Sequence, residues 1–176
     1  MKFMRVVALV MAFLVAGALS EEFMIQRSFP VYKQCDNSWG MDKLGSSGKI
    51  CRSGCLVTAL SSGLSSFGIK IYDSVSTPNV VNRYLMENEG YLGNTLVWTA
   101  VENFGFTYNG QTSEKETIVN NIKQQKLVLL NVRSGAHWVL ATGFNDEGYI
   151  VMDSGFIRST YSFSEVVRAA TFSKIE

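Results

Sequence analysis

The chain has 176 residues, 16 basic against 15 acidic side chains and a single histidine, for a formal net charge of +1. With no basic block, nothing supports nucleic acid or an anionic membrane as partner, and one histidine excludes a multi-histidine metal site. Hydrophobic residues at 47%, aromatic residues at 12% and two prolines argue for a packed globular domain and against disorder.

The first element in chain order reads as a secretory signal. Lys2 and Arg5 form a basic start, Val6 to Val15 an apolar run, and Ala18 and Ser20 the small residues before a cleavage after Ser20. The apolar run is short for a bilayer span, which takes roughly 20 residues. Export is therefore the expectation, with residues 1–20 as signal and 21–176 as one domain. Removing 20 of 176 residues leaves 156, and without Lys2 and Arg5 the balance is 14 basic against 15 acidic. That length suits a single core.

Residues 29–34 read as extended chain. Residues 36–54 carry Gly40, Gly45, Gly48 and Gly54 and read as a long loop, a type of segment that is usually functional. Cys55 to Phe67 has apolar residues at helical spacing and Gly68 behind it. Thr77-Pro78 opens a second helix to about Asn88. A third, short helix is expected from Asn94 or Thr95 to Gly105. Ser113-Glu114-Lys115-Glu116 reads as a capping box opening a fourth helix, to about Gln125. Strands follow at 127–133, 137–144 and 149–153, with Asn145-Asp146-Glu147-Gly148 as the hairpin turn. A fourth strand is expected near 158–162, and Ser164 as the cap of a last short helix. Helices first and an antiparallel sheet second make an α+β domain.

Three cysteines cannot all pair within one chain. Cys35–Cys51, Cys35–Cys55 and Cys51–Cys55 are all open, and one thiol is left over. Cys55 opens a helix, where backbone amides favour negative charge and so a thiolate, the nucleophilic form. A buried structural thiol or half of a disulfide is the ordinary alternative. His137 begins a strand, able to meet a partner from the helical half; an ordinary histidine beside Trp138 is its alternative. A Cys and a His distant in sequence form the thiol-hydrolase arrangement. Asp153 would lie opposite Val139 in a hairpin centred on Asp146, on the His137 face and diagonal to it. Diagonal neighbours stand roughly 7–8 Å apart, so twist or a bulge has to close the gap. Otherwise Asp153 caps the Ser154-Gly155 turn. Gln34 has a side-chain amide suited to an oxyanion, or is a surface residue beside a loop.

Gln34, Cys55, His137 and Asp153, in that order, resemble the site of the papain-like cysteine peptidases. The blocks around them are residues 31–40 with Lys43-Leu44-Gly45, then 51–60, 133–144 and 149–155. They are similar to the branch of bacteriocin-leader-processing, double-glycine peptidases, in stand-alone secreted form. The likeness runs from about residue 29 onward. Two details depart from it: Leu56-Val57 follows the Cys where a small pair such as Gly-Pro is usual, and Ser154 follows Asp153 where Pro is frequent.

The resemblance implies a papain-like fold, a helical half packed on an antiparallel sheet. It implies Cys55 as nucleophile, His137 as base and acid, Asp153 as orienter and Gln34 as oxyanion donor. With Cys55 free, Cys35–Cys51 is the implied bridge. The substrate would be a peptide or protein, and the chemistry needs no metal or organic cofactor. Two alternatives stand beside it: a non-catalytic secreted binding domain on the same fold, and an amidase of cell-wall peptides that uses the same Cys–His logic, for which exposed Trp39 and Trp98 would line a sugar or peptide groove.

Overall fold

The computed structural model describes residues 21–176, so the expected signal lies outside the described residues. Seven strands form one antiparallel sheet: β1 (Phe23–Met24), β2 (Phe106–Thr112), β3 (Leu127–Val132), β4 (His137–Phe144), β5 (Tyr149–Met152), β6 (Thr160–Tyr161) and β7 (Arg168–Lys174). The order across the sheet is β6-β5-β4-β3-β7-β2, and β1 pairs with the end of β4. Three helices flank it: α1 (Cys55–Ser66), α2 (Pro78–Glu87) and α3 (Lys115–Lys123). The α+β class holds, and no described helix is long and apolar enough to cross a membrane.

The core follows from period two in the central strand. All six residues of β3 are buried. Leu127 and Leu129 enter one core with α1 and α2 residues such as Leu60, Leu64 and Leu85. Val128, Leu130 and Val132 enter a second core with Ile118 and Ile122 of α3. A strand covered on both faces reads as a continuous apolar run, as this one does. The helical half therefore covers one face, while α3 covers the other. Helix α1 approaches the sheet closely because position 63 has no side chain. A Cβ there would stand 2.5 Å from Leu127 Cδ1 and 3.4 Å from Leu140 Cδ1.

Several elements differ from the sequence expectation. The third helix is a hairpin, Tyr91–Leu92 with Thr95–Leu96, followed by a 3-10 helix at Trp98–Phe104. The loop at 36–54 contains a small hairpin and one helical turn at Ile50–Ser53. Helix α3 starts one residue after Glu114 with no side-chain cap, so the Ser113 box does not form. The capping box that does form joins Ser162 and Glu165 around the 3-10 turn Phe163–Glu165, in place of the helix expected at Ser164. Behind it comes β7, which enters the sheet between β3 and β2. Its Ala169 and Ala170 are fully buried, one in each core. Alanine favours helix in isolation, but here a narrow slot between two strands decides the conformation.

A Gly63→Val substitution tests how tightly α1 is docked. Overpacking of this kind costs about 1–3 kcal/mol. The urea midpoint should fall while the m-value stays constant.

Candidate active site

Cys55 is the first residue of α1, half-buried and free of any disulfide. Cys35 and Cys51 are bonded to each other, with Cα atoms 4.2 Å apart. The helix start is held from behind by the Ile50–Ser53 turn, whose Ile50 carbonyl accepts the Gly54 N–H at 2.7 Å. A Cβ at Gly54 would stand 2.5 Å from that oxygen, so the approach to Cys55 is tight.

His137 is the first residue of β4 and is 5% exposed. Its Nε2 lies 2.7 Å from Asp153 Oδ1. That leaves Nδ1 as the ring nitrogen available to another partner. A bulge in the β4–β5 hairpin sets the face on which Asp153 lies. Phe144 pairs with Tyr149 and Gly143 with Ile150, but Ala141 pairs with Val151 and Leu140 with Met152. Without the extra residue, Thr142, the pairing would set Asp153 opposite Leu140 and on the wrong face. With it, the next position after Met152 faces Val139, on the His137 side.

Asp153 is 3% exposed and its carboxylate is fully engaged. Oδ1 also accepts the N–H groups of Gly155 at 2.8 Å and Phe156 at 3.0 Å. Oδ2 accepts the Tyr161 hydroxyl at 2.8 Å. Burial alone would push this carboxyl up. The His137 bond, the Phe156 amide, the Tyr161 hydroxyl and the Gly155 amide outweigh it and bring the pKa down to about 2. Burial likewise disfavours the imidazolium. The bond to Asp153 and an interaction with the Cys55 sulfur outweigh that, and hold His137 up at about 9. Tyr161 is raised by burial and by its bond to Asp153, so it stays a neutral donor.

Gln34 meets the same cluster from the opposite strand of chain. Its backbone N–H donates to Ser154 O at 3.0 Å, and its Nε2 donates to Cys51 O at 2.8 Å. A primary amide has two N–H donors, so one remains free. Position 155 shows how closely the parts converge. A Cβ on Gly155 would lie 3.0 Å from His137 Cε1 and 3.3 Å from Gln34 Oε1. The structure thus brings together all four residues singled out in the sequence.

The Peptidase_C39 like family model matches residues 26–174. The chain belongs to that family. Membership places it among the papain-like cysteine peptidases, whose substrates are peptides or proteins. No curated protein and no solved structure matches the chain.

Around the four residues of this C39-like domain stand others that the sequence did not single out. Fully buried Asn131 donates from Nδ2 to Gly135 O at 3.0 Å and to His137 O at 3.1 Å, tying the turn to the strand that bears the imidazole. Lys33 Nζ holds the loop after β5 through Asp153 O at 2.6 Å and Phe156 O at 3.2 Å. The Phe156 ring meets the His137 ring edge-on, with centroids 5.1 Å apart. A buried Asn in an apolar strand was the one legible signal among these. The expected exposed tryptophans are instead half-buried. Trp39 donates to Lys33 O and packs on Tyr32, while Trp98 sits among Tyr108, Trp138 and Phe172. An apolar cavity of about 470 Å³ flanks Asp153 and Phe156, lined by Phe29, Val31, Val151 and Ile157. It includes neither Cys55 nor His137, so the side-chain cluster, and not this cavity, marks the chemistry.

With one histidine in the chain, its titration is a single NMR signal. The imidazole should remain protonated at pH 7.5 and titrate well above 6.5. In Asp153→Asn the causes that raise it are weakened while burial remains, so the pKa should fall by at least one unit. The sign for stability follows. The His137 contribution is complete below about 6.5 and is lost as pH rises through about 9. The Asp153 contribution is present above about 3.8 and is lost as pH falls towards about 2. The melting temperature should therefore decline on both sides of a plateau between about pH 4 and 6.5.

Proposed function

We propose that this domain is a secreted cysteine peptidase that cleaves peptide bonds through an acyl-enzyme on Cys55. The observation that carries the reading is the His137–Asp153 hydrogen bond at 2.7 Å, buried beside a free thiol at a helix start. In the reaction, the Cys55 thiolate attacks the carbonyl carbon of the peptide. The C–N bond breaks as His137 gives a proton to the leaving amine. Water then attacks the thioester, His137 takes its proton, and the carboxylic acid leaves as the thiolate is restored. Asp153 fixes the ring through Nε2, which turns Nδ1 toward the sulfur. The free N–H of Gln34 and the backbone N–H of Cys55 are the donors for the oxyanion.

Two further points support the reading. A retired site is free to lose members, yet Cys55, His137, Asp153 and Gln34 all stand within one cluster. Export is supported by the basic-apolar-small pattern of residues 1–20 and by the Cys35–Cys51 bond, which suits an oxidising compartment.

Labelling with iodoacetamide tests the site directly, because Cys55 is the one thiol outside the disulfide. Rapid alkylation at pH 7 should slow by at least tenfold in His137→Ala. Equal, slow labelling of both proteins would favour a binding domain. Gln34→Ala should label like wild type but lose on the order of 10²–10³ in turnover of a peptide library, since it removes a donor and leaves the thiol in place.

A further inference from the structure

The turn between β3 and β4 carries two consecutive left-handed residues, as the Tyr72-Asp73 turn does elsewhere in the chain. Arg133 and Ser134 both have φ of 55°, a left-handed conformation that side chains other than glycine seldom adopt. Such residues persist where surrounding structure holds them, and they gather at functional sites. The consequence here is a placed cation. The Arg133 guanidinium lies 4.1 Å from the centre of the Phe156 ring, and that ring packs edge-on against His137. The carbonyl groups of Gly135 and His137 are both held by Asn131, so the turn that carries Arg133 is tied to the strand that carries the imidazole.

Three cations stand around the segment from Asp153 to Tyr161, and two are already engaged. Lys33 donates to two backbone carbonyls of that segment. Arg158 lies on the Tyr161 ring and donates to Glu165 and to Thr160 O. Arg133 is exposed, and among the described residues its guanidinium takes part in no ion pair or hydrogen bond; its partner is the Phe156 ring. The nearby carboxylate, Asp153, is buried and fully engaged by four donors. None of those four donors is the Arg133 guanidinium. A guanidinium stacked on an aromatic face keeps its N–H edge free, and that fork matches a carboxylate.

We infer that Arg133 is a specificity-determining residue that receives a carboxylate of the substrate close to the scissile carbonyl. The inference rests on the thiol chemistry proposed for Cys55 and adds a substrate class: peptides acidic at or next to the cleaved bond. Phe156 is the platform that sets the guanidinium at the rim of the site and holds it near the imidazole. Serving a substrate explains why a cation in a strained turn is left without a partner of its own.

Two alkylating reagents of nearly equal size test this without a known substrate. Iodoacetamide is neutral and iodoacetate is anionic. With either, a sulfur–carbon bond forms at Cys55 and iodide leaves. Second-order rates are compared for wild type, Arg133→Gln and Arg133→Lys, all three with side chains that face the same backbone strain. Arg133→Gln should slow iodoacetate by about threefold to tenfold, as expected for one unit charge near a surface. Its iodoacetamide rate should stay within about twofold of wild type. Arg133→Lys should recover most of the iodoacetate rate, and 0.5 M salt should narrow the gap between wild type and Arg133→Gln, since exposed charges are screened. Equal slowing of both reagents in Arg133→Gln would mean a structural role and overturn the inference. So would two unchanged rates. If wild type is labelled slowly by both reagents, the thiol chemistry itself fails, and the inference falls with it.

Discussion

A buried carboxylate has to be met by donors, because an uncompensated charge away from water costs several kcal/mol. Asp153 is met by four: an imidazole, two backbone amides and a phenol. Much of the architecture around the site can be understood from that requirement. The two amides demand a tight turn right after β5. The phenol demands that β6 return alongside β5, which it does through the pairing of Tyr149 with Tyr161. The imidazole demands that Asp153 face the same side of the sheet as His137, and the bulge at Thr142 supplies that change of face.

The other half of the site depends on rigid placement of a helix. Helix α1 lies against the sheet at Gly63 and begins at Cys55, so the distance between thiol and imidazole is set by core packing rather than by loop conformation. The three-layer arrangement, with α3 on the far face, keeps β3 and β4 buried on both sides. A sheet held this way has little freedom to shift register, and small displacements of catalytic groups are costly in rate. The segment from 29 to 34 then closes over the end of the sheet. Its Gln34 bridges the loop after β5 and the Cys51 carbonyl, linking both halves.

The parts legible in the sequence were those with local or chemical signatures. Helix α1 announced itself by apolar spacing, helix α2 by its Thr77-Pro78 start, and the hairpin β4–β5 by its turn. Gln34, Cys55, His137 and Asp153 were legible because an amide, a thiol, an imidazole and a carboxylate in that order have few other joint uses. Strand β7 was not legible, because Ala169-Ala170 has no strand preference of its own and is ordered by neighbours far away in sequence. Strand β2 was missed for a related reason: it holds Asn109 and Gly110, lies at the edge of the sheet and has only β7 to pair with. Tyr161 and Arg133 were missed because each matters through what it touches. No pattern of residue types reveals which oxygen a phenol will find, or that a strained turn will lay a guanidinium on a ring.

The Cys35–Cys51 bond has a consequence for how the molecule matures. Three cysteines allow three isomers with one bridge, and two of them consume Cys55. Only the third leaves the thiol at the helix start. The segment that brings Cys51 to Cys35 is held by ordinary backbone contacts, Cys51 N–H to Gly40 O at 2.9 Å and Gly40 N–H to Asp36 O at 2.7 Å. Oxidation before these contacts form draws from all three isomers; oxidation after they form draws from one. The free thiol is thus a product of folding order, and the fraction of molecules that carry it records how faithfully the chain folded before its cysteines were oxidised.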